Sequence, residues 1–283
     1  DSFSHGLNSV KRHPGQQKVA ADMRSFLSDS DLIRKREELF KDDEEMGRSE
    51  FKKKIQEYYS IRCVPQILGP VAETLDYAKS VIENELNSTN DNPIVSVEEQ
   101  NVFHGGNFHG DYVSLEMDKV KIVITRLTML AERQLNFLLN AKLNGKFPAF
   151  LNLKQLGFNF GIQGLQFTAT STTAENQTLS NPMYVHSIPN NNDNQDIVSM
   201  GTNSAVMTKK VIENGFQVMA IHMIAVCQAI DLLDDTQKAQ ISSKTKNTYD
   251  LIRAVMPAVT DDVPQSENIK KVIEVLRTNN IEL

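Results

Sequence analysis

Apolar residues recur at steps of three and four along most of this chain, and that spacing constrains it to a body of long helices. Leu68, Val71, Leu75, Ala78, Ile82 and Leu86 trace the apolar stripe of one helix, with Pro65 in its first turn. That helix ends within residues 87–92, because Pro93 cannot continue it. The spacing predicts a second helix over residues 112–143. Val120, Val123, Leu127, Leu130 and Leu138 lie on its stripe, and Asn144-Gly145 closes it. A third helix is predicted over 162–179 and a fourth over 203–233. The fourth is apolar on nearly every side from Val218 to Val226, which assigns it to the centre of a bundle. Helices over 17–27 and 267–277 flank the set. Only residues 94–97 and 102–103 read as strands. The fold class is therefore all-α, mostly helical, built as a bundle of long near-parallel helices.

Composition narrows the function. Apolar residues make up 40% and charged residues 23%, the balance of a soluble globular chain. A net charge of -6, with no dense basic patch to offset it, argues against nucleic acid as a partner. Lys52-Lys53-Lys54 sits close to the acidic residues 42–45 and reads as a solvated face. The two cysteines, Cys63 and Cys227, form no metal or redox spacing, and a reducing cytoplasm suits them. Residues 215–233 are the one membrane candidate, but Gln217, His222, Gln228 and Asp231 interrupt them. No membrane span is expected.

Four segments carry candidate chemistry. In Gln56-Glu57-Tyr58-Tyr59-Ser60-Ile61-Arg62-Cys63-Val64-Pro65-Gln66, a phenol stands three residues ahead of a guanidinium. Such a pair suits a substrate that bears a carboxylate and must lose or gain a proton. A salt bridge from Arg62 to Glu57 or Glu73 is the structural alternative. The other segments are Ser88-Thr89-Asn90-Asp91-Asn92-Pro93, Gly105-Gly106-Asn107-Phe108-His109-Gly110 and Asn194-Gln195-Asp196-Ile197-Val198-Ser199-Met200-Gly201. The Gly105-Gly106 pair permits close backbone approach to a neighbouring group. His104 and His109 lack the spacing and partners of a metal site. Residues 190–196 lack the glycine and distal glutamate of a calcium loop. No metal is assigned. An Asx-rich turn capping the fourth helix is the structural reading of that loop.

In this order the four segments resemble the aromatic amino acid ammonia-lyase family, which includes histidine, phenylalanine and tyrosine ammonia-lyases. The resemblance covers nearly the whole chain and, within the family, leans to the bacterial tyrosine enzymes. It implies a fumarase/aspartase-like helical bundle, assembled as a homotetramer with active sites shared between subunits. It also implies the electrophilic cofactor 4-methylidene-imidazol-5-one, which forms from an Ala-Ser-Gly tripeptide. No Ala-Ser-Gly occurs in this chain, which opens at Asp1-Ser2-Phe3. Residues 1–283 are thus expected to be the C-terminal portion of a longer polypeptide. The ring and a catalytic tyrosine base would lie upstream, and the portion alone would be inactive.

The resemblance gives roles to residues. Arg62 would bind the substrate carboxylate, because only a forked guanidinium holds that group in one orientation. Tyr59 would be the active-site tyrosine, and Phe108 would pack beside the ring. Asn194 and Gln195 would face substrate and cofactor, with Asn191 near the amino group. Gln163 and Phe167 would line the side-chain end of the pocket, where a core role is the alternative. Residues 41–48 match a lid loop. Histidine lyases carry a glutamate where Gln195 stands, and plant phenylalanine lyases place an acid at Asn191. The expected reaction is therefore elimination of ammonia from L-tyrosine to give trans-p-coumarate. Phenylalanine or histidine ammonia-lyase and an aromatic aminomutase are the alternatives, and a non-catalytic helical assembly module is the reading from another class.

Overall fold

The computed structural model describes residues 1–33 and 56–278. The lysine run at 52–54 and the lid expected at 41–48 lie outside the described residues. Helices α1 (His5–Ser9) and α2 (Pro14–Leu27) come first, followed by the single turn α3 (Tyr59–Arg62) and the long α4 (Val64–Leu86). An antiparallel hairpin, β1 (Ile94–Ser96) with β2 (Asn101–Phe103), pairs Ile94 with Phe103. Then come α5 (Asp111–Leu139), α6 (Ala141–Asn144), a 3-10 turn at Ala149–Leu151, α7 (Gln163–Leu179) and α8 (Gly201–Asp231). Three helices close the described chain: α9 (Asp235–Ala239), α10 (Ser243–Val255) and α11 (Ser266–Thr278).

Three expectations of local structure are corrected. Helix α5 stops at Leu139, short of 143, because Asn140 is extended and its side chain caps the next turn by accepting from Lys142 N. Gly145 then closes α6 in the left-handed conformation, at φ 63. On α4 the buried face runs through Val64, Val71, Ala78 and Val81, whereas Leu75 and Leu86 are exposed. Helix α10 was not anticipated. Its signal is a capping serine, since Ser242 Oγ accepts from Thr245 N, while among its residues only Ile252 is buried.

Cross-helix contacts fix the directions. Ser204 Oγ lies 3.0 Å from Ser114 O, Thr208 Oγ1 lies 2.8 Å from Met117 O, and a Cβ on Gly215 would lie 3.0 Å from Ile124, so α5 and α8 run parallel. Helix α7 runs antiparallel to α5, with Thr125 at Asn176, Thr170 at Glu132 and Gln166 at Asn136. Helix α4 also opposes α5, since Ser60 meets Gln134 and Tyr77 meets Lys119. Helices α2 and α4 cross at two glycines. A Cβ on Gly69 would lie 2.6 Å from Gln16 N, and one on Gly15 would lie 2.5 Å from Gly69 O.

The interior divides along the bundle. Leu135, Leu139, Ile162, Leu165, Ala169, Ile221, Ile224, Ala225, Ile252 and Val272 form an apolar core at the C-terminal ends of α5 and α8. Toward the N-terminal ends the buried groups are polar and mutually bonded. Asn214 donates to Asn176, Thr125 Oγ1 donates to Asn176 O, and Asp118 pairs with Lys121. Buried polar groups persist only when their hydrogen bonds are made, so this half needs its partners in register.

Candidate active site

Three of the four motif segments meet at one end of the bundle. Asn92 Oδ1 accepts from Gly105 N at 2.8 Å, which ties the segment 88–93 to the glycine pair. His109 Nε2 lies 3.2 Å from Ile197 O, so its Nε2–H bridges to the loop that precedes α8. Gly110 and Gly201 lie so close that a Cβ on Gly201 would be 3.3 Å from Gly110 O. The parallel helices α5 and α8 therefore begin side by side, and neither N-terminus is capped by a side chain. The Asx-rich run does not cap α8; the N-cap is Met200, at φ 52. Two uncapped helix starts give this end a positive potential.

Phe108, Asn191, Asn194 and Gln195 all sit at this end. The Phe108 ring is 55% exposed, and nothing stands within 4 Å of a Cβ placed on Gly105 or Gly106. The space before the glycine pair is open, with room for a neighbouring group from outside the described residues. Asn190 and Gln195 exchange backbone hydrogen bonds at 3.1 and 3.3 Å. Between them Asn191, Asn192 and Asp193 are all left-handed, at φ 53, 53 and 62. Asn and Asp accept that conformation more readily than other residues with a Cβ. The tight loop leaves Asn194 and Gln195 exposed.

Tyr59 and Arg62 lie elsewhere. Gln134 Nε2 donates to Ser60 O at 2.7 Å, and Tyr58 packs edge-on to Phe137, so α3 sits beside the C-terminal part of α5. Helix α5 is unbroken from Asp111 to Leu139. At 1.5 Å per residue, the Phe108 end and the Tyr59 end are about 35 Å apart. Arg62 stacks its guanidinium 4.7 Å from the centre of the Tyr59 ring. Neither structural partner weighed for it holds it: Glu73 accepts from Gly15 N at 2.6 Å, and no carboxylate among the described residues forms an ion pair with Arg62. Its Nε is buried without a hydrogen-bond partner among those residues, while Tyr59 is 69% exposed.

Gln163 and Phe167 line a 680 Å³ cavity between α7, α8 and α11, with Phe160, Gln217, Lys270 and Ile273. Phe167 is 65% exposed. Gln166 Nε2 reaches Asn136, which sets this cavity at the C-terminal level of α5, away from Phe108. Sequence reasoning passed over Asn92 and His109 as structural ties. Their signal was present, since both stand inside the quoted motifs. Among the described residues no cluster could hold a metal ion, and no helix is long and apolar enough to cross a membrane. Cys63 and Cys227 are free, and burial pushes the Cys227 thiol up to about 11, so it is unreactive at neutral pH.

Helical fold, motif order and clustered loops together define an ammonia-lyase/aminomutase architecture, and comparison with known proteins agrees. The family model for aromatic amino acid lyases matches residues 1–254. The chain belongs to the aromatic amino acid lyase family. It is 38% identical over 285 residues to a tyrosine ammonia-lyase of Cupriavidus metallidurans, covering 98% of this chain and 52% of that protein. It is 37% identical over 281 residues to an MIO-dependent tyrosine 2,3-aminomutase of Streptomyces globisporus, covering 97% of this chain and 51% of that one. Among solved structures, the phenylalanine aminomutase of Pantoea agglomerans superposes with a TM-score of 0.92 at 34% identity, covering all of this chain and 55% of that one. The chain thus spans about half the length of the relatives it matches.

Proposed function

We propose that the whole protein eliminates ammonia from an aromatic L-amino acid, with L-tyrosine as first choice and trans-p-coumarate as product. The observation that carries this reading is the state of Arg62: a forked cation stacked on an exposed phenol, with no carboxylate partner among the described residues and its buried Nε–H unsatisfied by them. A substrate carboxylate would satisfy it in bidentate fashion. The β-carbon gives up a proton, the carbon–nitrogen bond breaks, the double bond forms and ammonia leaves.

The family's 4-methylidene-imidazol-5-one, when present, supplies the strong electrophile that ordinary side chains lack. This chain's residues fit as neighbours of such a planar group: an exposed Phe108 ring, open space over Gly105 and Gly106, and the amides of Asn194 and Gln195. Arg62 holds the carboxylate, Tyr59 Oη donates to or accepts from the reacting centre, and Asn194 and Gln195 orient amine and ring. Asn191 stands near the amino group, and Gln163 and Phe167 border the side-chain end. Such positioning contributes several kcal/mol of a barrier, of order 7 or more in the best cases.

Because Tyr59 and Phe108 stand about 35 Å apart along one rigid helix, both can serve one reaction only if different copies supply them. A homotetramer with shared sites meets that need, and the half-buried surface around the centre of α8 offers room for helix-on-helix contact. A neutral amide at Gln195 suits an uncharged aromatic ring better than the carboxylate of histidine lyases would. The test is incubation of the full-length protein with tyrosine, phenylalanine and histidine, following arylacrylate absorbance. A β-amino acid product would make it an aminomutase instead. No turnover of any of the three would overturn the reading and favour a helical assembly role.

A further inference from the structure

The loop that carries Asn191, Asn194 and Gln195 is long and almost wholly exposed, so something must hold its shape. Within it a few bonds act: the Asn190–Gln195 pair, Asn194 N to Asn191 O at 3.2 Å, His186 N to Met183 O at 2.9 Å and Val198 N to Ser187 Oγ at 3.0 Å, with His109 reaching Ile197 O from outside. Its ends are different. Lys121 Nζ donates to Asn181 O at 2.6 Å, and Asp118 Oδ2 accepts from Tyr184 N at 2.7 Å, at the point where the chain leaves α7. Asp118 Oδ1 accepts from Ser204 Oγ at 2.6 Å, where the chain has just entered α8. Asp118 and Lys121 also pair with each other at 2.8 Å, and they are 2% and 0% exposed.

We propose that Asp118 and Lys121 are positioning residues: one turn of α5 grips both ends of residues 181–204 and thereby sets where Asn194 and Gln195 stand. A loop closed at both feet has lost most of its conformational freedom before any substrate arrives. The pair is buried, so its bonds are short of competing water, and each partner is needed to neutralise the other. Burial alone would raise the Asp118 carboxyl. The hydrogen bonds from Lys121, Ser204 and Tyr184 N outweigh that and hold it below the ordinary carboxylate value. The Asp118 carboxylate is therefore ionised at neutral pH.

The catalytic part of this proposal rests on the lyase reading; the structural part does not. The experiment is hydrogen exchange by mass spectrometry on the full-length protein, comparing wild type with Asp118→Asn and Ser204→Ala. Asp231→Asn, which breaks a different pair with Arg253, serves as control. Exchange within residues 185–200 should rise at least about tenfold in Asp118→Asn and Ser204→Ala, while α10 and α11 keep their protection. The control should leave residues 185–200 protected. If Asp118→Asn does not fold, Ser204→Ala decides, since it removes only the hydroxyl that touches Asp118 and Ser114 and leaves the ion pair. Where the wild type turns over tyrosine, kcat per folded protein should fall about tenfold in Ser204→Ala with little change in melting temperature, the mark of positioning. Unchanged exchange in 185–200, or protection lost evenly along the chain, overturns the proposal. A wild type with no turnover would refute the functional reading and leave the exchange result standing.

Discussion

The Arg62 guanidinium lies 4.7 Å from the centre of the Tyr59 ring, one turn along the same short helix. The stacking leaves the N–H donors of the fork uncommitted, and the buried Nε–H has no acceptor among the described residues. Removing the side chain should therefore cost substrate binding more than folding.

In the full-length protein, Arg62→Ala should cost about 2–5 kcal/mol in kcat/KM for tyrosine, because the carboxylate loses its buried partner. Arg62→Lys should recover only part, since a point charge cannot make two parallel bonds. Steady-state kinetics beside thermal melting checks this. Near-normal kinetics with a lowered melting point would make the arginine structural.

The proposed choice of tyrosine leans on Gln195 more than on any other residue of this chain. Gln195→Glu places a carboxylate before an uncharged ring and should cut tyrosine turnover at least about tenfold, about 1.4 kcal/mol. The ratio of kcat/KM for tyrosine to that for histidine should fall with it. An unchanged ratio would remove Gln195 from substrate selection.

The crossing of α2 and α4 leaves no space for a side chain at Gly69. Gly69→Ala would force a methyl to within 2.6 Å of Gln16 N and 2.9 Å of Gln16 Cα, both backbone atoms that cannot step aside. Overpacking of this kind costs about 1–3 kcal/mol. A urea melt with the midpoint unmoved would contradict the crossing geometry.

His222 gives stability a pH dependence. Burial lowers it to about 4 from an ordinary 6.5, and its Nδ1 is buried without a partner among the described residues. As pH falls below 6.5, the unfolded chain takes up a proton that the folded chain refuses. Stability should fall through that window and level off below about 4. The total loss is at most about 3 kcal/mol, because the side chain keeps some accessibility. In His222→Gln this slope should disappear from melts run between pH 6.5 and 4; persistence of the slope would assign it to other groups.

Much of the helical frame was legible because its punctuation is chemical. Pro93 could be read directly, as could the unbroken apolar run of α8, whereas Gly145 was legible as a C-cap but closes α6, not the long helix it was assigned to. Helix α10 was hidden because its burial rests on Ile252 while a capping serine does the rest. The early stop of α5 turned on Asn140, whose side chain competes for the backbone in a way periodicity does not register. At the site, motif order was visible but distance was not. That Asn92, Gly105, His109 and Ile197 converge, while Tyr59 and Arg62 stand a helix length away, depends on how α4, α5 and α8 point. Directions of that kind come from packing between distant segments, which local pattern does not encode.

Complementation between subunits tests the account most directly. Two full-length variants, Arg62→Ala and Gln195→Glu, are prepared separately and then co-expressed so that mixed oligomers form. Each alone should be nearly inactive toward tyrosine. If one site draws its Arg62 end and its Gln195 end from different copies, random mixing should restore about a quarter of wild-type turnover. Mixed oligomers no more active than either parent would contradict a site shared between subunits, and with it the reading of this chain's two distant clusters as halves of one active site.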